Sequence, residues 1–184
     1  MTSFITGIIV AICTFPGVIL RQVVTQLLCL YFRIPVFKVT YFQPWPPFGK
    51  VDFEPPRRAS TGLAIILVPA IITTLVGFLT GAPAFLAFFT SDTTPLTSLI
   101  DLFLIWLGIS FAVNSFPTTE QAMTVKRLLV VPENSTLVRS TGEFLMIAMY
   151  ACALGSIVWL DVIYALFVVV GIPLVGHEML RAAR

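Results

Sequence analysis

The run "GLAIILVPAIITTLVGFLTGAPAFLAFF", residues 62 to 89, contains no charged side chain. A stretch of that length and apolarity is long enough to cross a bilayer as a helix, and a water-soluble domain of this size has little use for it. The rest of the chain agrees. It is 58% hydrophobic and 11% charged, with a mean hydropathy of +0.98, where soluble domains carry about 25% charged residues. The polar side chains are too few to cover a globule in water, so the chain is expected to be an all-α integral membrane protein. Its 184 residues form one transmembrane domain. A net charge of +2 with no basic run argues against nucleic acid as a partner.

Spans follow from length and apolarity. The first helix is expected over about 4–32, retained because its start lacks the basic region and small-x-small cleavage site of a signal peptide. A second is expected over about 62–89, kinked or ended early by Pro69 and Pro83, and a third over about 96–116. The segment 143–176 is about 50 Å long as one helix, well beyond a ~30 Å hydrocarbon core. Split near "WLD" it gives two helices, about 143–159 and 161–177. The basic residues favour the split. Loops 33–61 and 117–142 hold eight Lys and Arg, and the two in the C-terminal tail join them on one side only if there are five helices. By the positive-inside rule, that side is cytoplasmic and the N-terminus lies outside.

Between the first two helices, "PVFKVTYFQPWPPFGKVDFEPPRR" breaks the helical pattern. A β-branched and aromatic run, a Pro-Gly turn and an alternating run predict an interfacial β-hairpin over about 35–58, with Tyr41 and Trp45 suited to the headgroup zone. The polar connection 118–134, "TEQAMTVKRLLVV" within it, has the pattern of an amphipathic surface helix.

Inside the first helix sits a polar wedge. Arg21 and Thr25 stand four residues apart, as do Gln22 and Gln26, and Cys29 continues the row. On one helix these share a face of about 100° directly after Gly17. An arginine at depth costs several kcal/mol unless it is paired or hydrated, so the face is expected to close an internal polar pocket with another helix. The alternative is an arginine that snorkels to the interface.

These residues carry a resemblance. "FPGVILRQVVTQLLCLYFRIPVFKVTYFQPWPPFGKV" resembles a family of membrane zinc metalloproteases common in archaea and related to the site-2-type proteases. In that family a Pro-Gly-Val lead-in precedes His-Glu-x-x-His. A Pro-Val strand, a Gly-x-Val return strand and a later His-x-Phe-Pro element at a helix end follow. Here the later element is "VNSFPTTEQA", 113–122, and "WLDVIYAL" is also similar. The resemblance implies former active-site positions at Arg21, Gln22, Thr25, Asn114 and Glu120. The three motif positions, Arg21, Gln22 and Thr25, have lost their chemistry. Arginine has no lone pair for a cation, glutamine accepts no proton as a base, and threonine is a poor zinc ligand. Neither a catalytic residue, a metal ligand nor a cofactor is therefore assigned. A salt bridge from Arg21 to Glu120, Asp52 or Glu54 is expected to replace the metal as an internal strut.

The remaining residues offer no substitute site. The single histidine, His177, lacks a second ligand one turn away. Cys13, Cys29 and Cys152 are expected as buried free thiols, the first two about 24 Å apart along one helix and beyond disulfide reach. Asp101 reads as charge compensation at a helix start. "NST" at Asn134 is a chance glycosylation match on the cytoplasmic side. "PAFLAFF" reads as lipid-facing bulk, and the small residues of "GAPA" and "ACALGS" suit close helix packing. The leading functional expectation is a non-catalytic accessory or assembly subunit of a membrane complex, a pseudoenzyme in the plasma membrane of a prokaryote, with other membrane subunits and the lipid bilayer as partners. The alternative is a lipid- or small-anion-binding protein that uses the former pocket, and an active intramembrane protease comes last.

Overall fold

The computed structural model describes residues 2–45, 48–56, 58–90, 95–116, 147 and 159–182. The expected helix 143–159 apart from Ile147 and Trp159, the amphipathic connection, Glu120, Asn134 and Cys152 lie outside the described residues. The chain is an integral membrane protein, mostly helical, with a two-stranded hairpin after its first helices.

The expected first helix is two: α1 (Thr2–Cys13) and α2 (Phe15–Tyr31). The break falls at Thr14, whose φ of −112° and ψ of 24° are not helical. Its cause is Pro16, which fits the first turn of a helix but cannot donate to the preceding one. α2 ends in a Schellman motif: Arg33 N–H donates to the Leu30 carbonyl at 3.0 Å, and Ile34 N–H to that of Cys29 at 2.8 Å. The left-handed position of that motif, usually glycine, is held by Arg33 at φ 56°.

β1 (Val36–Thr40) and β2 (Lys50–Phe53) pair antiparallel, with a bulge between Val36 and Lys38. The hairpin lies on α2. A Cβ at Gly49 would come within 2.9 Å of the Val18 side chain and 3.0 Å of Gln22, so the absence of a side chain there lets the returning strand sit against the helix.

α3 (Ala59–Thr90) runs unbroken through both prolines for 32 residues, correcting the expectation of an early end. Thr73 Oγ1 donates to the Pro69 carbonyl at 2.9 Å and to that of Ala70 at 3.0 Å, and Thr74 Oγ1 to Ala70 at 2.9 Å. These back-bonds absorb polar groups inside the helix. At about 48 Å it exceeds a hydrocarbon core, so it is tilted in the bilayer or emerges from it. α4 (Pro95–Val113) follows. Asp101 thus lies inside the helix, past its first turn, rather than opening it.

Glycines join α3 and α4. A Cβ at Gly108 would fall 2.6 Å from Gly81 Cα and 2.8 Å from the Gly77 carbonyl oxygen. Gly77 and Gly81 form a small-xxx-small pair, and Gly108 with Ala112 forms the facing one, so the two backbones touch. Behind Gly81 stands Val169, fully buried.

Val169 belongs to the last apolar helix, Leu160–Ala182. It comprises α5 (Leu160–Leu166), a π-helical turn (Phe167–Gly171) and α6 (Ile172–Ala182). The wide turn ends two residues before Pro173, whose ring would clash with the carbonyl one α-turn back. The helix starts directly after Trp159, which takes a left-handed φ of 64°. That left-handed position, within "WLD", is held by neither Gly nor Pro.

Candidate functional site: a polar seam between α2 and α4

At the break Gly17 N–H turns to the Thr14 carbonyl at 3.0 Å, with Val18 N–H at 3.4 Å on the same oxygen, so the Cys13 carbonyl loses its α-helical donor. In lipid such a group must find a partner inside the protein. α4 supplies one, and adds further donors to Thr14, from residues spaced by four, Trp106, Ser110 and Asn114, which form one stripe. Trp106 Nε1 donates to the Cys13 carbonyl at 3.0 Å. Ser110 Oγ donates to the Thr14 carbonyl at 3.0 Å and accepts from Gly17 N–H at 3.0 Å. Asn114 Nδ2 donates to the same Thr14 carbonyl at 3.1 Å and to the Ser110 carbonyl at 2.9 Å. Gly17 makes this possible: a Cβ there would sit 2.0 Å from the Ser110 carbonyl oxygen.

Arg21 works in the opposite direction. It is buried, 7% exposed, and its Nη1 donates to the carbonyl of Asn114 at 3.1 Å and to that of Phe116. α4 ends at Val113, so these carbonyls lie just past its C-terminus, where a cation is favoured by the helix dipole. Arg21 therefore caps α4 while α4 caps the break that precedes α2. Thr25, also buried, donates its hydroxyl to the Arg21 carbonyl one turn back at 2.8 Å. Ser115 Oγ closes the same helix end on the Ala112 carbonyl at 2.6 Å.

The predicted wedge therefore divides. Arg21, Thr25 and Cys29 form its buried row, and Arg21 turns to the end of α4. Gln22 and Gln26 face the hairpin, Gln22 beneath Gly49 and Gln26 accepting from Tyr41 Oη at 2.6 Å. Of the former active-site positions the fold brings Arg21 onto Asn114, with Thr25 one turn along α2 from Arg21, and Glu120 is outside the described residues. Asp52 pairs with Lys50, two residues earlier on the same strand β2, at 3.0 Å, and Glu54 is exposed beside it. His177 neighbours only Glu178, at 4.0 Å, among ion pairs of the described residues. No three His, Cys, Asp or Glu side chains converge among those residues. Cys29 is buried as expected, but Cys13, beside the break, is exposed.

Sequence reasoning missed Trp106 and Ser110 as partners of the break. The signal was present: W-x3-S-x3-N on one apolar helix, opposite an F-P-G. In comparison with known proteins, no family model, no curated protein and no solved structure matches this chain.

Proposed function

We propose that the protein is a non-catalytic accessory or assembly subunit of a membrane protein complex, with a metalloprotease-like framework whose zinc positions have changed their task. It resides in the plasma membrane of a prokaryote, an assignment that rests on the resemblance to the archaeal-type proteases. One observation carries the functional reading: the buried Arg21 guanidinium is bound to the Asn114 and Phe116 carbonyls just past the end of α4. Where the resembling family sets a dication between two helices, this chain sets a side-chain cation that joins the same two helices permanently. A guanidinium held by carbonyls neither activates water nor accepts a proton. Asn114, at the later histidine's place, likewise directs its amide to backbone oxygens. Both positions now brace the structure.

The test is purification from native membranes in mild detergent, with mass spectrometry of co-purifying proteins and metal analysis of the same sample. A partner in fixed ratio and no stoichiometric zinc is expected. A protein that emerges alone overturns the subunit reading, and one zinc per chain overturns the loss of the metal site.

A further inference from the structure

A second place in the fold carries chemistry that the seam does not use. At the end of α2 and the start of α3, a cleft of about 500 Å³ opens at the base of the hairpin. Its lining includes Phe32, Arg33, Glu54, Pro56, Arg58 and Thr61. The apolar span of α3 begins at Ser60, so Arg58 and Thr61 bracket its start. Tyr31 and Phe32, in edge-to-face contact at 5.2 Å, stand exposed beside the cleft. Such rings suit the headgroup level of a bilayer.

Two arginines face one glutamate in this lining, and among the described residues neither arginine side chain forms an ion pair. Arginine's planar fork matches phosphate oxygens two at a time. Arg33, in the lining of the cleft, holds the left-handed position of the α2 terminus, where glycine would be unstrained. Strain at such a position is retained where the side chain has a use. Glu54 adds an acceptor for a hydroxyl on the same ligand.

We infer that this cleft binds the phosphate of an anionic lipid headgroup, with Arg33 and Arg58 on the phosphate oxygens and Glu54 toward a headgroup hydroxyl. The site is separate from the seam and independent of the proposed subunit role. Its charge lies where the positive-inside rule places basic residues, but the cleft adds a shaped ligand position to that general attraction.

The experiment uses the full chain in a neutral detergent, titrated with dioctanoyl phosphatidylglycerol, dioctanoyl phosphatidylcholine and inorganic phosphate, with binding read by native mass spectrometry and by thermal shift. Phosphatidylglycerol is expected to bind in one-to-one ratio and phosphatidylcholine far more weakly. Arg33→Gly removes the ligand group and relieves the backbone, so it folds while weakening phosphatidylglycerol about tenfold. Arg33→Lys retains part of the affinity, and Arg58→Gln weakens it further. Glu54→Gln tightens inorganic phosphate, because a like charge leaves the cleft. Inorganic phosphate binding as tightly as the lipid would keep the phosphate chemistry but overturn lipid as its source. Unchanged phosphatidylglycerol affinity in a folded Arg33→Gly, Arg58→Gln double variant overturns the site.

Discussion

Gly17→Ala is the sharpest probe of the seam. The added Cβ would stand 2.0 Å from the Ser110 carbonyl oxygen and 2.6 Å from Asn114 Nδ2, and contacts under 3.0 Å are essentially never found. No flexible side-chain tip can yield to the first contact, because it is backbone. The helices must move apart until 2.0 Å becomes at least 3.0 Å. Three hydrogen bonds span that gap at 3.0, 3.0 and 3.1 Å, from Gly17 N–H, Ser110 Oγ and Asn114 Nδ2. Added separation takes all three outside the normal range. Interhelical hydrogen bonds in membranes contribute about 0.6–1.7 kcal/mol each, together about 2–5 kcal/mol. Gly→Ala in an unobstructed helix returns about 0.5–1 kcal/mol, which leaves a net loss of about 1–4.5 kcal/mol. Gly176→Ala is the control, since nothing lies within 4 Å of its Cβ position. Reversible unfolding in mixed micelles with increasing dodecyl sulfate measures both. A Gly17→Ala protein as stable as Gly176→Ala would refute the seam.

Three further substitutions probe the rest of the frame. Arg21→Ala removes the cap from α4 and leaves its terminal carbonyls without that donor, at a cost of about 2–4 kcal/mol in the same assay. Arg21→Lys keeps the charge but loses the fork and should fall between the two, and unchanged thermal stability of Arg21→Ala would remove the cap as an explanation. Gly108→Ala sets a methyl 2.6 Å from Gly81 Cα and should cost about 2 kcal/mol by separating α3 from α4, with lowered abundance in membranes as the simplest readout; wild-type stability would mean that the two glycine pairs do not touch. Arg33→Gly should raise stability by about 1 kcal/mol, because only glycine takes the left-handed position without a clash, and a loss there would mean that the arginine side chain supports the fold itself.

Composition and length alone indicated a membrane protein, because apolar spans leave few alternatives. The hairpin was legible too, from β-branched residues on either side of a Pro-Gly turn. The break at Thr14 was not, because hydropathy is continuous across it and Pro16 is as compatible with a kinked helix as with a new one. Pro69 and Pro83 suggested a kink or an early end; the early end does not occur, and α3 continues through both. The α3–α4 contact was in plain view as "GFLTG", yet attention to "GAPA" captured only Gly81 and its buried neighbours Ala82 and Ala84. The polar wedge was recognised as a face but not as two. Spacing by four assigns Arg21 with Thr25 and Gln22 with Gln26 without saying which neighbour each row meets. That depends on the hairpin folding back onto α2, a tertiary fact with no local signature.

The seam also explains why polar residues are concentrated at these positions of an otherwise apolar chain. A helix broken in lipid exposes carbonyls that water cannot reach, and a helix that ends there does the same. Here one break and one end lie side by side, and each is closed from the other helix: Trp106, Ser110 and Asn114 serve Cys13 and Thr14, and Arg21 serves Asn114 and Phe116. The arrangement is reciprocal, so loosening either helix strips donors from both. A catalytic pair of helices needs the reverse, with side-chain groups left available to a substrate and able to change protonation state. Arg21 keeps its charge at any physiological pH, and its described bonds, like those of the Asn114 amide, are made to backbone. Rigidity is the property that such a seam confers on the chain. A frame braced in this way suits a protein that positions others, and the proposed subunit role is argued on that ground rather than on a missing motif alone.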